Sequence, residues 1–481
     1  MTPPPVFDVR DYGARGDGVT LDTTAINAAI AAAVGAGGGR VVLRSGRFLS
    51  FSIRLYSRIT LDIAEDGVLE AADPARHPGR YDLPEPNPHD QYQDFGHSHW
   101  RNSLIWGEDV EDVAIVGLGL IDGAGLTREG PGAPWSLNTL GDRPISMGPP
   151  DSTSAAAFEA EVAAMAGLGN KSVALKNARR VVIRNLSVLK GGHFAFLLTG
   201  VDGLVMDGLR IDTDRDGVDL DMVTDARLTN LQVNTPNDDA IVLKASMALG
   251  ERRPTERVEI ADCRVSGYDL GTMLDGTRGR TQQISPDQDR VTGRIKIGTE
   301  TNGDVRDIHI ARCTFERSRG LAIETVDGGV IEDVLAEDLI LTEITTAPIF
   351  LRLGDRRRGP PGTAAGALRR VIIRNVKATG IDPRYAVLLA GLKGRPVEAV
   401  TLSNIDLSFE GGMTVADAPD PVPELPSAYP EPSMFGVTPA FGLYARHVRG
   451  LTLHNLNLST KIADQRPGIV LDDVEGLRCE P

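Results

Sequence analysis

The sequence is poor in cysteine, in basic excess and in long apolar runs, and each shortage excludes a class of protein. Its 481 residues include three cysteines, Cys263, Cys313 and Cys479, too few and too scattered for a disulfide framework or a zinc site. No stretch approaches the roughly eighteen apolar residues of a membrane-spanning helix. Acidic residues outnumber basic ones by 66 to 51, and the net charge of −15 excludes nucleic acid and anionic membranes as expected partners.

What the sequence has in abundance is glycine, with 53 residues, and one short phrase that recurs along the chain. The phrase reads apolar-x-apolar-x-x-apolar-x-apolar, which predicts a strand, a one-residue kink and a second strand. Its nine copies begin at Val113, Val181, Leu204, Ala226, Val258, Ile308, Val371, Val400 and Leu451.

The kink position carries residues that tolerate a positive φ. In the later eight copies it reads Asn185, Gly208, Asn230, Asp262, Arg312, Asn375, Asn404 and Asn455. The closest kinks are 22 and 23 residues apart, which fits one solenoid coil per repeat. We therefore predict an all-β parallel β-helix of about ten coils. A β-propeller needs about 40 residues and four strands per repeat, and the frame of leucine-rich repeats is absent.

We predict a single domain over residues 1–481, with an N-terminal cap over residues 1–50. Asp22 is the expected N-cap of a capping helix whose apolar face carries Ile26, Ile30 and Val34. Three stretches lack the repeat, near residues 76–102, 124–170 and 411–440, and residues 154–166 predict a second short helix inside one of them. Because these loops are rich in Pro, His, Tyr and Trp, we place them over a functional face.

Three aspartates are predicted to meet on one outer wall of the solenoid. Stacking the inward pair Val218 and Leu220 on the next coil brings Asp216 beside Asp239, with Asp238 adjacent, because coils lie about 4.8 Å apart. Clustered carboxylates are costly unless a shared proton, a cation or a substrate uses them. An inverting glycoside hydrolase uses an acid and a base about 6.5–9.5 Å apart. The alternative is a set of acidic turns that only cap strands.

These residues resemble those of glycoside hydrolase family 28, the polygalacturonase family, over nearly the whole chain. The matching phrases begin at Phe7 and Gly117, and the family's Asn-Thr-Asp-Gly and Asp-Asp motifs correspond to residues 214–217 and 238–239. The resemblance implies a right-handed parallel β-helix. It also implies that Asp238 is the general acid and that Asp216 and Asp239 hold the attacking water.

Two motifs of the family are altered here. The family's Gly-His-Gly becomes Val-Thr292-Gly, and its Arg-Ile-Lys becomes Ala322-Ile-Glu324, while an Arg294-Ile-Lys296 string lies one coil earlier. The resemblance implies that the family's basic residues at these positions, which are absent here, bind the galacturonate carboxylate. Lys296 is predicted to share an outward column with Ala322, so a lysine moved by one coil is a partial replacement.

Lys244 is predicted to share a column with Asp221 and Glu324. Lys244 and Lys296 then either meet an acidic sugar or form a surface ion-pair ladder with Asp219, Asp221 and Glu324.

Further substrate-binding candidates flank the aspartates. His193 lies one coil before Asp216, Tyr268 and Asp269 open an insert, and Arg352 follows an inward strand three coils on. For His193 and Arg352 the alternatives are a structural hydrogen bond and a salt bridge. The segments Tyr429–Gly436 and Ala440–Arg446 are similar to those of pectin side-chain or rhamnogalacturonan enzymes. His97, His99 and Trp100 are either a stacking wall for sugar rings or a plain loop core.

The favoured function is an inverting glycoside hydrolase of pectic oligosaccharides, exo-acting on galacturonate- or rhamnogalacturonan-type linkages because long inserts wall off the cleft. The alternatives are a calcium-dependent pectate lyase-like enzyme and a non-catalytic carbohydrate-binding β-helix. We expect a monomer without cofactor or metal that binds an oligo- or polysaccharide and neither nucleic acid nor membrane. The N-terminus lacks an export signal, so we expect a cytoplasmic protein, or a periplasmic or secreted one if a signal peptide has been trimmed.

Overall fold

The computed structural model describes residues 4–131 and 155–480, and nearly all of its regular structure is parallel β-strand. The two α-helices are α1 (Thr23–Gly35) and α2 (Ala155–Ala164). The strands are β1 (Val6–Asp8), β2 (Asp17–Leu21), β3 (Gly39–Leu43), β4 (Gly46–Ser50), β5 (Ile53–Arg54), β6 (Ile59–Ile63), β7 (Gly67–Ala71), β8 (Ile105–Glu108), β9 (Glu111–Val116), β10 (Leu120–Asp122), β11 (Lys171–Lys176), β12 (Arg179–Arg184), β13 (Ser187–Leu189), β14 (Phe194–Thr199), β15 (Asp202–Asp207), β16 (Arg210–Asp212), β17 (Asp216–Asp221), β18 (Thr224–Thr229), β19 (Gln232–Asn234), β20 (Ile241–Ala245), β21 (Thr255–Ala261), β22 (Arg264–Ser266), β23 (Ile295–Thr301), β24 (Val305–Ala311), β25 (Thr314–Glu316), β26 (Leu321–Thr325), β27 (Val330–Thr342), β28 (Ile349–Leu353), β29 (Ala367–Ile381), β30 (Val387–Ala390), β31 (Val397–Gly411), β32 (Leu443–Ile462), β33 (Ile469–Glu475) and β34 (Arg478–Glu480).

The strands stack in three parallel series, one on each face of the solenoid. One face runs through β12, β15, β18, β21 and β24, and the next through β13, β16, β19, β22 and β25. The third, which we call the site face, runs through β11, β14, β17, β20, β23, β26, β28 and β30. The long strand β27 pairs with both β24 and β25, so it bends across the corner between two faces. This is a right-handed parallel β-helix, as predicted.

The corner between the first two faces is the predicted kink. Every predicted kink residue has a positive φ, from 49° at Asn455 to 68° at Gly208. Asn404 donates to Asn375 at 2.9 Å and Asn455 donates to Asn404 at 3.0 Å, so neighbouring coils are also joined by an amide ladder at this corner. Asparagine suits the position because it tolerates the left-handed conformation and bonds along the stack.

The core is a set of inward rows that run from coil to coil. Val218 stacks on Phe196 and Ile241, and Ile241 stacks on Ile295, all with no exposed surface. Cys263 and Cys313 are buried free thiols in such rows, whereas Cys479 is exposed. Packing of apolar rows holds the fold together without cross-links.

Helix α1 packs over the first coil through Ile26 and Ile30, which are fully buried. Val34 was expected on this face but is 41% exposed, because Ala33 occupies the buried face in the last turn and Val34 lies at its edge. Asp22 occupies the N-cap position, yet its carboxylate accepts from the backbone N–H groups of Arg15 and Gly16 instead of capping the helix.

Two of the predicted inserts lie in connections that carry no strand in the described part of the chain, residues 72–104 between β7 and β8 and residues 412–442 between β31 and β32. A third connection, between β10 and β11, contains α2, and residues 132–154 of it lie outside the described residues. No helix among the described residues is long and apolar enough to cross a membrane.

Candidate active site

Asp216, Asp238 and Asp239 meet at the start of the strands on the site face. Asp216 opens β17, and the register that pairs Val218 with Ile241 places Asp239 directly beside it. The backbone N–H of Asp239 donates to the Asp216 carboxylate at 3.2 Å. One oxygen from each of the three carboxylates lies within 4.8 Å of the others. Directly stacked coils put Asp216 and Asp239 side by side, and Asp238 is adjacent in sequence, so the three carboxylates form one cluster.

Only one of these carboxylates faces solvent. Asp216 and Asp239 are 5% and 4% exposed, whereas the Asp238 side chain is 26% exposed and pairs with Arg215 at 2.8 Å. The Arg215 side chain is itself 29% exposed. A ligand that reaches the cluster therefore meets Asp238 and Arg215 first.

The environment separates the proton affinities of the two buried aspartates. Burial, followed by the charge of Asp238, raises the pKa of Asp216 well above its usual range. Burial also acts to raise the pKa of Asp239, but Arg294 at 2.5 Å and Lys296 at 3.4 Å outweigh it and lower that pKa to about 2. Asp216 thus favours its protonated form and Asp239 its ionised form, so Asp239 is the carboxylate of the cluster that is available as a base.

The Arg294-Ile-Lys296 string lies against the carboxylates even though it precedes the family's position by one coil. Arg294 bridges Asp239 and Glu431, with distances of 2.6 and 3.0 Å to the Glu431 carboxylate. Lys296 lies 3.5 Å from Glu324 and 3.3 Å from the Tyr429 hydroxyl. The predicted pairing of Lys296 with Ala322 in one column is present.

Glu324 is fully buried beside Lys296. Burial raises its pKa to about 7, and Lys296 and Arg294 limit the rise. Thr292 lies in the turn below the cluster, where its backbone N–H donates to the Pro236 carbonyl at 3.0 Å. Its neighbour Gly293 donates to the Asp238 carbonyl at 3.1 Å, so this turn supports the backbone of the predicted acid.

Lys244 belongs to a buried network. Its ammonium lies 2.7 Å from Asp219, 2.5 Å from His97 and 3.5 Å from Glu300. Burial first and Lys244 second lower the pKa of His97 to about 3, so His97 is neutral and accepts from the lysine.

The prediction for Lys244 was partly wrong. Lys244 pairs with Asp221 as expected, but a register shift between Leu243 and Ala245 breaks the column before it reaches Glu324. The proposed surface ladder is a buried network instead, because the loop of residues 72–104 covers it.

His99 and Trp100 are packed inside the same loop of residues 72–104. His99 stacks on Phe95 at 4.1 Å, and Trp100 is 1% exposed and donates its indole N–H to Thr199 at 2.9 Å. These side chains form the core of the loop, so a wall that stacks on sugar rings is wrong for them.

His193 lies where expected, immediately before the residue that pairs with Asp216. It is 2% exposed, its Nδ1 lies 2.8 Å from the Arg128 carbonyl, and its Nε2 has no hydrogen-bond partner among the described residues. Burial, followed by the charge of Arg215, lowers the pKa of His193 well below its usual value. A neutral imidazole therefore borders the cluster.

Tyr268, Asp269 and Arg352 point to other partners. The Tyr268 hydroxyl donates to Glu316 at 3.2 Å, and Asp269 accepts from Thr281 and from the backbone of its own insert. Arg352 is 1% exposed and donates to the carbonyls of Gly391, Glu424 and Leu425, at 2.9 to 3.2 Å. Arg352 therefore anchors the loop of residues 412–442, in place of the expected salt bridge or carboxylate contact.

Sequence reasoning missed three residues of the site. Glu300 lies on β23, four residues after Lys296, and contacts Lys244, whereas Glu431 reaches Arg294 from the distant loop of residues 412–442. Arg215 stands inside the motif at residues 214–217, where the family has threonine, and this replacement by a cation was a signal available in the sequence.

A separate groove of about 780 Å³ lies at the other end of the strands on the site face. Lys176, Gly200 and Arg253 line it, and it does not touch the three aspartates. The chemistry-bearing residues therefore do not line this groove.

Comparisons with known proteins agree with the fold. A family model described as rhamnogalacturonase A/epimerase, pectate lyase-like, matches residues 6–73. The family 28 exopolygalacturonase of Yersinia enterocolitica superposes with a TM-score of 0.68 at 16% identity, over 99% of this chain and 79% of that one. The hyperthermoactive exopolygalacturonase of Thermotoga maritima superposes with a TM-score of 0.62 at 20% identity, over 95% of this chain and 93% of that one. This chain therefore shares the parallel β-helix fold of these exopolygalacturonases.

An exo-poly-alpha-D-galacturonosidase of Dickeya chrysanthemi is 32% identical over 138 residues, which is 28% of this chain. The match spans only 22% of that relative's length. Together with the structural neighbours, it confirms the resemblance to glycoside hydrolase family 28.

Proposed function

We propose that this chain is an inverting glycoside hydrolase that removes sugar units from the ends of pectic oligosaccharides. The observation that carries the proposal is the carboxylate cluster, in which Asp216 favours a proton and Asp239 stays ionised while Asp238 faces solvent. Hydrolysis of a glycosidic bond needs a proton donor and a base for the attacking water.

In the proposed reaction Asp238, the exposed carboxyl, donates a proton to the leaving glycosidic oxygen. Asp239 accepts a proton from the water that attacks the anomeric carbon. Asp216 and Asp239 together hold that water in position. One water is consumed, the new hydroxyls are completed, and a proton moving from Asp239 through the cluster restores Asp238.

The exo mode is supported by two loops that reach the cluster from different parts of the chain. His97, from the loop of residues 72–104, lies against Lys244, and Glu431, from the loop of residues 412–442, lies against Arg294. Side chains inserted in this way close the ends of a cleft, which favours chain ends over internal linkages.

A calcium-dependent lyase is less compatible with the donor set. The ammonium of Lys244 already contacts Asp219, and Asp239 already contacts Arg294 and Lys296. A divalent cation among these carboxylates would face those three positive charges at short range.

The decisive experiment is product analysis with and without EDTA. Homogalacturonan and rhamnogalacturonan oligosaccharides are incubated with the protein, and reducing ends, absorbance at about 235 nm and the anomer released are followed. We expect an inverted monosaccharide, insensitive to EDTA. A chelator-sensitive rise in absorbance identifies the lyase, and a retained anomer contradicts the roles given to Asp216 and Asp239.

Asp238→Asn tests the proposed acid. We expect kcat to fall by about 10²–10⁴-fold, the usual contribution of a general acid, with substrate binding largely kept. The matched control is Asp225→Asn, an exposed aspartate on the next face of the same coil. Wild-type turnover in Asp238→Asn contradicts the assignment.

A further inference from the structure

Arg215 stands apart from the other cations of the site in exposure and in pairing. The side chains of Arg294 and Lys296 are 3% and 2% exposed, and each lies within ion-pair distance of two protein carboxylates. Arg215 is 29% exposed and has the single carboxylate partner Asp238 among the described residues. Of the three cations Arg215, Arg294 and Lys296, Arg215 is the one that solvent and an incoming anion can reach.

The partner of Arg215 is the residue proposed as the general acid. Both the Nε and one terminal nitrogen of Arg215 donate to the same Asp238 oxygen, at 3.1 and 2.8 Å. These two donors occupy an oxygen through which a general acid would hand over its proton. While the ion pair is formed, that oxygen is not available to a glycosidic oxygen.

We propose that Arg215 binds the carboxylate of an acidic sugar and that this exchange releases Asp238 to take up a proton. The inference rests on the proposed function and goes beyond it, because it names a recognition residue and makes the substrate switch on the acid. The guanidinium exchanges one carboxylate for another, and Asp238 takes one proton from solvent. That proton is the one later donated to the glycosidic oxygen.

Arg215 can make a planar, bidentate contact with a carboxylate of the ligand. A guanidinium offers parallel N–H donors that match a carboxylate, and an exposed ion pair is weak enough to be exchanged. His193 is neutral on the far side, so it neither competes for the incoming anion nor repels Arg215. A neutral sugar cannot make the exchange and leaves Asp238 paired.

The first test measures binding without turnover. Galacturonate and galactose, which differ at the carboxylate, are titrated calorimetrically into the protein in buffers of different ionisation enthalpy. We expect galacturonate to bind at least ten-fold more tightly than galactose and to take up about 0.5 to 1 proton per site near pH 6. Arg215→Gln is expected to lose both effects, and Arg215→Lys is expected to keep part of the affinity.

The second test uses turnover of trigalacturonate and of its methyl ester. Arg215→Gln is expected to lower kcat/KM for the acid by at least ten-fold, because the carboxylate loses its partner, and to raise kcat/KM for the ester, because Asp238 is no longer held in the ion pair. The control, Arg374→Gln, removes an exposed arginine paired with Glu337 on another face and is expected to change neither.

The outcomes separate the two proposals. Equal binding of galacturonate by wild type and Arg215→Gln, binding without proton uptake, or no binding at all overturns the role of Arg215. Proton-linked binding that depends on Arg215, without hydrolysis of any pectic oligosaccharide, supports the recognition site and contradicts the hydrolase.

Discussion

Asp239 is ionised because two cations outweigh its burial, and this balance can be tested one residue at a time. Removing Arg294 leaves the burial in place, so the pKa of Asp239 rises toward and beyond its usual value. Since the base acts in its ionised form, we expect the acidic limb of the kcat/KM profile of Arg294→Met to move up by at least one pH unit.

The conservative variant is the control for this prediction. Arg294→Lys keeps a positive charge between Asp239 and Glu431, so its acidic limb is expected to stay near that of wild type. A limb that is unmoved in Arg294→Met, with only a lower plateau, contradicts the role of Arg294 in holding the base ionised. Circular dichroism confirms that both variants are folded.

Asp221 links the buried network to the pH dependence of stability. Burial raises its pKa to about 6, although it accepts from the hydroxyl and backbone N–H of Ser246. The folded protein binds this proton more tightly than the unfolded chain does. The stabilising contribution is therefore present below pH 4 or so and is lost as the pH rises through about 6, with a total of up to about 3 kcal/mol.

We expect the thermal midpoint of the wild type to decrease as the pH is raised from about 4.5 to about 7. In Asp221→Asn this decrease is expected to be smaller. Asp219 and Glu324, whose pKa values burial also raises to about 7, contribute with the same sign. The control is Asp225→Asn, since Arg257 lowers the pKa of that exposed carboxyl. An unchanged slope in Asp221→Asn contradicts the assignment.

At the scale of the element, the corner of each coil depends on a residue that accepts a positive φ. Asn404 has φ 55° and joins Asn375 to Asn455 through its amide. Asn404→Val combines a left-handed conformation that costs a non-glycine residue about 1–2 kcal/mol with the loss of the amide ladder. We expect Asn404→Val to have a clearly lower thermal midpoint than Asn404→Gly, which keeps the backbone freedom and loses only the ladder. Equal thermal midpoints in Asn404→Val and Asn404→Gly would show that backbone strain at residue 404 does not cause the loss of stability.

Elements differ in how far the sequence predicted them. The repeat gave the kinks, the inward rows and the adjacency of Asp216 and Asp239, because each follows from one coil stacked on the next. The register shift between Leu243 and Ala245 was not predicted, since the extra residues lie on β23, between Ile297 and Thr301, and leave the apolar pattern of β20 unchanged. The prediction of a continuous column from Lys244 to Glu324 was wrong for that reason.

At the scale of the molecule, a solenoid couples each coil mainly to its neighbours. Leu243 and Leu61 are both fully buried, but Leu243 stacks on Leu220 and Ile297 at the site, and Leu61 lies in an N-terminal coil. Each Leu→Ala substitution is expected to cost roughly 2–5 kcal/mol of local stability. We expect Leu243→Ala to lower kcat/KM at least ten-fold, and Leu61→Ala to leave it within about two-fold at 25 °C.

This comparison needs both readouts, activity and thermal midpoint. A lower midpoint in both variants with loss of activity in Leu243→Ala alone supports nearest-neighbour coupling. Equal loss of activity shows that the coils act as one cooperative unit.

The sequence by itself determined the solenoid, its kinks and the meeting of the three aspartates, because a repeat places each residue relative to the next coil. Only the tertiary structure decided which side chains balance those carboxylates. Glu431 meets Arg294 from 137 positions away, and His97 meets Lys244 from 147 positions away. Both come from loops that do not follow the repeat, so their positions depend on packing over the finished coil, which no local pattern encodes.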